Sequence, residues 1–273
     1  MSKTPKLSIV IPAYNEEKRI RKTLIKYHNH FSEKYGDDFE MIIVTDGCKD
    51  KTPDIVREFS QKFQNIKHLS FARRLGKGGS IIQGFKVARG ELIGFVDADG
   101  GAEPEEFDKL IKATEFVDGA IGSRWLNRSL VRREEPFYRE IGSRIFYVLA
   151  RALFGLKYQD TQCGAKVFRK HAIKDVVNEI YLTGFTFDLD LLYRMREKNY
   201  EIEEIPISWE HMGESGLNFK KIAPLAVISA IELRALESRF RALVKNRAVS
   251  YVLECVVKGN DFRKSEGSEL EPK

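Results

Sequence analysis

The sequence predicts an α/β protein: a doubly wound, mainly parallel sheet with helices on both faces and further amphipathic helices at the periphery. Three observations predict it. Short β-branched apolar runs alternate with helical stretches from residue 7 to residue 122. The first runs are apolar on consecutive residues, as strands covered on both faces are. Several of them stop abruptly on carboxylates, and ligands of open parallel sheets bind outside the carboxyl ends of the strands.

Leu7-Ser8-Ile9-Val10-Ile11-Pro12 is the first buried strand, stopped by proline. Ala13-Tyr14-Asn15-Glu16-Glu17 follows, then a helical pattern to about Tyr35. Residues 39–45 are a second strand, ending at Asp46-Gly47. Asp50-Lys51-Thr52-Pro53 starts a helix that runs to Phe63, with Asp50 or Thr52 as its cap. Residues 66–70 are a third, weaker strand. After Gly76-Lys77-Gly78-Gly79 comes a helix from Ser80 to Ala88. Leu92 to Val96 is a buried strand that ends on Asp97-Ala98-Asp99, two carboxylates one residue apart. Such a pair can hold a metal ion, although Asp and Gly are also common where strands merely stop. Pro104-Glu105-Glu106 begins the next helix, and Gly119-Ala120-Ile121-Gly122 is a short strand.

The character changes after Ser123. Residues 124–151 carry seven arginines against three glutamates. From Ile141 to Leu156 the basic residues mix with Ile145, Phe146, Tyr147, Val148, Leu149, Leu153 and Phe154. That pattern suits an amphipathic helix packed on the sheet, or one lying at a membrane interface. Asp160 to Phe168 reads as a loop leading into a strand. Thr186 to Leu192 starts a helix with acids in its first turn. Tyr200 to Ile207 reads as an edge strand closed by Pro206. Asn218 to about Val244 is mostly helical, and residues 222–231 contain only Ser229 as a polar residue. The tail from Gly259 is polar and expected to be disordered. The expected division is a catalytic domain over 1–216, with interfacial helices within 124–156, a helical segment over 217–258, and a tail over 259–273.

Composition bounds the function. Of 273 residues, 42% are hydrophobic and 32% charged, which supports a soluble protein with a real core. The net charge of +6 suits an anionic partner. Nucleic acid is not that partner, because no recognition-helix or RNP-type motif is present and the basic residues mix with an apolar helix. The three cysteines, Cys48, Cys163 and Cys255, lack metal-type spacing and suggest a reducing compartment. No signal-peptide pattern and no run of about 18 apolar residues is present. Gly76-Lys77-Gly78-Gly79-Ser80 is not a P-loop, and no G-x-G-x-x-G follows the first strand.

Four strand ends offer chemistry: Pro12 to Glu16, Asp46-Gly47, Asp97-Ala98-Asp99 and Gly122-Ser123-Arg124. Together they supply an aromatic face, carboxylates and a fixed cation, the set a nucleoside diphosphate needs. A base can stack on Tyr14, Asp46 can accept from a base N–H, and a cation at Asp99 can neutralise the diphosphate.

In that order these segments resemble the inverting family-2 glycosyltransferases of the GT-A type. Within the family, Gly122-Ser123-Arg124, Arg139, Ser143-Arg144, Asp160-Thr161-Gln162-Cys163-Gly164 and Phe187 to Leu192 resemble the dolichyl-phosphate sugar synthases, most of all the dolichyl-phosphate β-glucosyltransferases. The resemblance covers residues 7–216. It implies that Pro12, Tyr14, Glu16, Asp46, Asp97 and Ala98 bind the nucleotide sugar. It implies that Asp99, with Asp97 beside it, holds Mg²⁺ or Mn²⁺. Arg124, Arg139 and Arg144 would bind the acceptor phosphate, and Gln162 would shape a loop over the sugar. Residues two apart on a helix point to different faces, so at most one of Asp188 and Asp190 faces the site; Asp188 is the favoured catalytic carboxylate, and the choice between them stays open. An ordinary reading of Arg124 and Arg139 is salt bridging to Glu134, Glu135 or Glu140.

The implied donor is UDP-glucose, with GDP-mannose the closest alternative, and the implied acceptor is dolichyl or polyprenyl phosphate. A soluble family-2 enzyme with a sugar acceptor and Asp188 as general base is the other enzymatic reading. The expected location is the cytoplasmic face of a membrane, held peripherally. Three departures from the family stand out. Thr45 replaces the first of the usual paired aspartates, Cys48 stands where serine is common, and Gly100-Gly101 stand where mannosyl relatives carry a glutamine ligand.

Overall fold

A computed structural model describes residues 4–127, 131–133, 137–210 and 219–237. Its centre is a seven-stranded sheet with strand order β3-β2-β1-β4-β7-β5-β8. The strands are β1 (Leu7–Ala13), β2 (Phe39–Asp46), β3 (Ile66–Phe71), β4 (Leu92–Val96), β5 (Gly119–Ser123), β7 (Ala165–Arg169) and β8 (Ile202–Pro206). β1 pairs in parallel with β2 and β4, β2 with β3, and β5 with β8. β6 (Val131–Arg133) and β9 (Trp209–Glu210) form a separate two-stranded ribbon.

The consecutive apolar residues of β1 and β2 have the expected cause. Val10, Ile42 and Val44 enter one core, while Ile9, Ile11, Met41 and Ile43 enter the other, because successive strand residues point to opposite faces. The second core is covered by α1 (Ile20–Tyr35), α2 (Thr52–Lys62) and α4 (Pro104–Ala113). The first is covered by α3 (Gly76–Val87), α5 (Phe137–Phe154), α6 (Lys170–Val176), α7 (Phe187–Glu197) and α8 (Phe219–Leu236). On α5, Phe146, Ala150 and Phe154 are buried at four-residue spacing. Among the described residues no helix is long and apolar enough to cross a membrane. The tail from Gly259 lies outside the described residues.

The mainly parallel sheet expected from the sequence is present, with one antiparallel strand, and one helix starts earlier than expected. β7 is antiparallel to both its neighbours, β4 and β5, so the sheet is not an unbroken parallel array. The reversal brings the start of β7, with the 160–164 loop, to the edge where β4 and β5 end. The helix expected from Ser80 begins four residues earlier, at Gly76. The glycines form its first turn because α7 approaches closely: a Cβ at Gly78 would lie 2.3 Å from the Cβ of Phe187. Gly78→Ala is expected to lower stability by about 1–3 kcal/mol, the usual cost of overpacking. Urea unfolding would show this as a lower midpoint at an unchanged slope.

Candidate active site

The parallel strands β1, β2, β4 and β5 carry Tyr14, Asp46, Asp97 to Asp99 and Arg124 to one edge of the sheet. Four hydrogen bonds stitch the loop after β1 to the loop after β2. Thr52 Oγ1 accepts from Glu16 N, Asp50 from Glu17 N, Asn15 Oδ1 from Lys49 N, and Glu17 from Lys51 N. Lys51 is the N-cap of α2 and makes no side-chain cap hydrogen bond, so neither Asp50 nor Thr52 is the cap that was expected. Asp50 also accepts from Thr52 N at 3.0 Å, while the Thr52 hydroxyl reaches across to β1's loop.

At the end of β1, Pro12 is half-buried and Tyr14 exposed. The Arg74 guanidinium lies 3.3 Å from the centroid of the Tyr14 ring, and Arg74 Nε lies 3.3 Å from Asp46 Oδ2. Asp46 is 2% exposed and accepts the amides of Leu75 at 2.5 Å and Gly76 at 3.0 Å. It therefore holds the start of α3. Thr45, the departure beside it, shares a 2.8 Å hydrogen bond with His68.

At the end of β4 three acids share one field. Asp97 Oδ1 is 2.7 Å from Lys77 Nζ, and its amide donates to Gly164 O at 2.9 Å. Asp99 Oδ1 accepts the amide of Gly101 at 3.0 Å. Glu16 holds Arg19 through two hydrogen bonds, of 2.7 and 2.8 Å. Burial raises the Asp99 carboxyl above its ordinary value, and the charge of Asp97 adds to the shift. Glu16 is pushed up to about 7 by burial, with Arg19 opposing and Asp99 and Asp97 adding. Burial works against the charge on Lys77, but Asp97 and Asp188 hold it well above the usual lysine range. Ala98 is buried beneath this group.

The expected divergence of Asp188 and Asp190 is present, though both are buried. Asp190 accepts the amides of Tyr181 at 2.6 Å and Leu182 at 2.9 Å and pairs with Arg194 at 3.0 Å, which makes it a structural anchor. Asp188, 1% exposed, pairs with Lys166 Nζ at 2.5 Å, and Lys166 also donates to Cys163 O at 2.6 Å. Lys77 and Lys166 both stand over the Phe95 ring, at 5.8 and 5.2 Å from its centroid. Asp188 thus meets the acidic cluster through two lysines, and this pairing speaks against a free catalytic base.

Arg124 has a different partner from those expected. Its Nε and amide both donate to Asp160 Oδ2, at 2.7 and 3.0 Å, and Nη2 donates to Asp160 Oδ1 at 2.9 Å. Burial alone would raise Asp160; the guanidinium lowers it below the usual carboxylate range. Glu204 on β8 accepts the amides of Gln159 and Asp160 at 2.9 and 2.7 Å. Arg124 therefore braces the 160–164 loop through this bidentate pair. Glu134 and Glu135 lie outside the described residues, as does the Glu140 side chain. Arg139 stands in the first turn of α5 with its side chain outside the described residues, and exposed Arg144 lies over Trp125 at 5.4 Å. Within the braced loop, Gln162 Nε2 is a buried donor with no partner. The Cys163 thiol is fully buried and pushed up to about 12 by burial, so it is inert.

The profile described as Glycosyl transferase family 2 matches residues 8–177. The chain belongs to glycosyltransferase family 2. Among its curated relatives, the dolichyl-phosphate beta-glucosyltransferase of Saccharomyces cerevisiae is 33% identical over 231 residues, covering 77% of this chain and 68% of that one. Dolichyl-phosphate beta-glucosyltransferase ALG5D of Trichomonas vaginalis is 32% identical over 235 residues, covering 81% and 71%. Glycosyltransferase AglD of Haloferax volcanii is 30% identical over 212 residues, but this chain spans only 34% of its length. The glucosyl-3-phosphoglycerate synthase of Mycobacterium tuberculosis, solved with Mn²⁺, UDP-glucose and phosphoglyceric acid, has the same fold. Its TM-score is 0.66 at 15% identity, over 85% of this chain and 80% of that one. The chain is thus a glycosyltransferase with the GT-A sheet.

The acids of this family-2 site fit a hard divalent cation. Burial raises the carboxyls of Asp99 and Glu16, and the neighbouring charge of Asp97 adds to both, a field that a cation relieves. Among the described residues no group of three His, Cys, Asp or Glu converges as a closed cage. One or two carboxylates plus substrate phosphates are the usual shell of such an ion. With Asp97 committed to Lys77, Asp99 is the more open ligand. A side chain at Gly101 would meet the Trp209 ring, because a Cβ there would lie 2.5 Å from it.

The shift of Glu16 has a sign that can be tested. A carboxyl raised in the fold binds its proton more tightly there than in the unfolded chain. The stability it contributes is complete below the unfolded value of 4.5 and is lost as pH rises through about 7. Wild-type protein is therefore expected to lose stability relative to Glu16→Gln between about pH 5 and about pH 8. Denaturant titrations of both proteins at the two pH values measure this; a difference that does not change with pH contradicts it.

Proposed function

We propose that this glycosyltransferase moves glucose from UDP-glucose to dolichyl or polyprenyl phosphate, with inversion at the anomeric carbon. The observation that carries the reading is the acidic group of Asp99, Asp97 and Glu16 at the sheet edge, flanked by the Tyr14–Asp46 pocket. The names of the relatives support the acceptor and the sugar. The Tyr14 pocket takes the nucleobase, and Arg74 exchanges its contact with Tyr14 for the incoming donor. Pro12, Glu16 and Ala98 line the pocket, and Gln162 offers its unpartnered amide to the sugar or its phosphate.

Asp99, with Asp97, holds Mg²⁺ or Mn²⁺, which when bound supplies positive charge beside the leaving diphosphate. Lys77 stays protonated and contributes a second positive charge there. A phosphate monoester is already an anionic nucleophile near neutral pH, since its second pKa is about 6. It needs orientation rather than a strong base, which Arg139 and Arg144 supply. The alternative with a sugar acceptor and Asp188 as general base is less well supported, because Asp188 is buried against Lys166. Exposed Val148 on α5 and Ile231 on α8, on helices that also carry exposed Arg144, Arg151 and Arg234, support peripheral attachment to a membrane surface, and the reading places the enzyme on the cytoplasmic face.

The test is a donor screen with purified protein, Mg²⁺ or Mn²⁺, a short polyprenyl phosphate and a panel of UDP- and GDP-sugars. Turnover with UDP-glucose is expected; turnover with GDP-mannose alone would reassign the donor, and turnover without lipid would remove the acceptor assignment. In the same assay Arg139→Ala is expected to raise the KM for lipid phosphate while leaving the KM for the donor near wild type.

A further inference from the structure

The loop that carries Asp99 holds itself through one bond, from the Gly101 amide to Asp99 Oδ1. Gly100 has φ of +77°, a left-handed conformation, and Gly101 follows it. Two glycines beside a ligand leave the backbone free to wander unless something outside the loop fixes it. Helix α1 provides that fixture. Thr23 Oγ1 donates to Ala98 O at 2.9 Å, and Tyr27 Oη donates to Ala102 O at 3.0 Å. These carbonyls lie on either side of the segment 99–101. Thr23 and Tyr27 are four residues apart, so they share one face of the helix.

Both hydroxyls are themselves held. Thr23 and Tyr27 are 3% and 1% exposed, and the Tyr27 ring packs edge-on against Phe107 at 6.0 Å. The rest of α1 docks on α4 by other means: Lys26 pairs with Glu103, and His30 and Lys34 pair with Asp108 at 2.8 and 2.7 Å. The two hydroxyl bonds therefore add little to seating α4 and fall on the ligand loop. On the opposite side Glu210 N donates to Gly101 O at 3.0 Å and the Trp209 ring covers Gly101.

We infer that Thr23 and Tyr27 are positioning residues for the divalent-cation site, fixing the direction of Asp99 through the carbonyls of Ala98 and Ala102. The inference rests on the assignment of the cation to Asp99. Removing both hydroxyls leaves every direct ligand in place, yet lets the loop sample orientations that do not bind. Partners of this kind typically set metal affinity by about 10–100-fold.

The experiment measures Mn²⁺ binding in the presence of UDP by electron paramagnetic resonance, with uridine binding without metal as the control. The proteins are wild type, Thr23→Val, Tyr27→Phe, the double variant, Thr23→Ser and Asp99→Asn. The double variant is expected to bind Mn²⁺ about 10–100-fold more weakly with uridine binding unchanged. Thr23→Ser, which keeps the donor, restores affinity relative to Thr23→Val. If Asp99→Asn loses Mn²⁺ but both single variants and the double variant bind as wild type, the positioning role is overturned and the metal assignment stands. If Asp99→Asn itself binds Mn²⁺ normally, the metal assignment falls and takes this inference with it. A parallel loss of uridine binding in the single variants would mean a general structural role and would also overturn it.

Discussion

Asp99→Asn is expected to reduce sugar transfer by about a thousandfold or more while the protein stays folded. Charge stabilisation by a bound cation is worth several kcal/mol, and each 1.36 kcal/mol is a factor of about ten. Asparagine keeps the size of the side chain and an oxygen for the Gly101 amide, so the turn at the end of β4 keeps its local hydrogen bond. It removes the charge that Asp97 and burial already make costly, so the apo fold loses nothing and gains slightly. Steady-state rates with saturating Mg²⁺ or Mn²⁺, beside a thermal melt of the same sample, separate the two effects. Near wild-type turnover would remove Asp99 from the site.

Lys166→Met is expected to cost about 3–5 kcal/mol of stability. Lys166 is fully buried in β7, between Phe95 of β4 and Ile121 of β5, and its ammonium is satisfied by Asp188 and Cys163 O. Removing it leaves the Asp188 carboxylate, itself 1% exposed, without its directly paired cation. A domain holds about 5–15 kcal/mol in total, so the loss is a large fraction of the whole. Lys166→Met with Asp188→Leu removes both charges and is expected to recover most of the stability, because a well-packed apolar pair often replaces a buried ion pair without cost. Urea unfolding of the three proteins checks this. A single variant as stable as wild type would mean that water reaches the pair. The double variant also separates stability from catalysis: it restores the fold but removes Asp188 from beside Lys77.

The strands at the heart of the site were legible because their signals are local. β4 needs only five residues and a pair of acids to announce itself, and β1 and β2 show the unbroken apolar runs of strands with two covered faces. Tyr14, Asp46 and Asp99 follow from their places at strand ends. The partners were not legible in the same way. Nothing near Arg124 names Asp160, 36 positions along, as the carboxylate it grips. Arg74 lies in a basic stretch where only the fold shows which arginine covers Tyr14. The antiparallel insertion of β7 depends on long-range pairing that no short pattern encodes. One signal was available and unused. In Ala165-Lys166-Val167-Phe168-Arg169 the period of two puts Lys166 on the same face as Phe168, and a lysine on a buried face calls for an acid. Asp188, at the start of a helix, is that acid.

The central claim is transfer of glucose to a lipid phosphate with inversion, and the structure of the product tests it most directly. Wild-type protein incubated with UDP-[¹³C]glucose, Mn²⁺ and a polyprenyl phosphate should yield one lipid product. Its ¹³C and ³¹P spectra should show a phosphodiester to an anomeric carbon in the β configuration, opposite to that of the donor. Glucose delivered to water or to a sugar hydroxyl, or an α-linked lipid phosphate, would contradict the account.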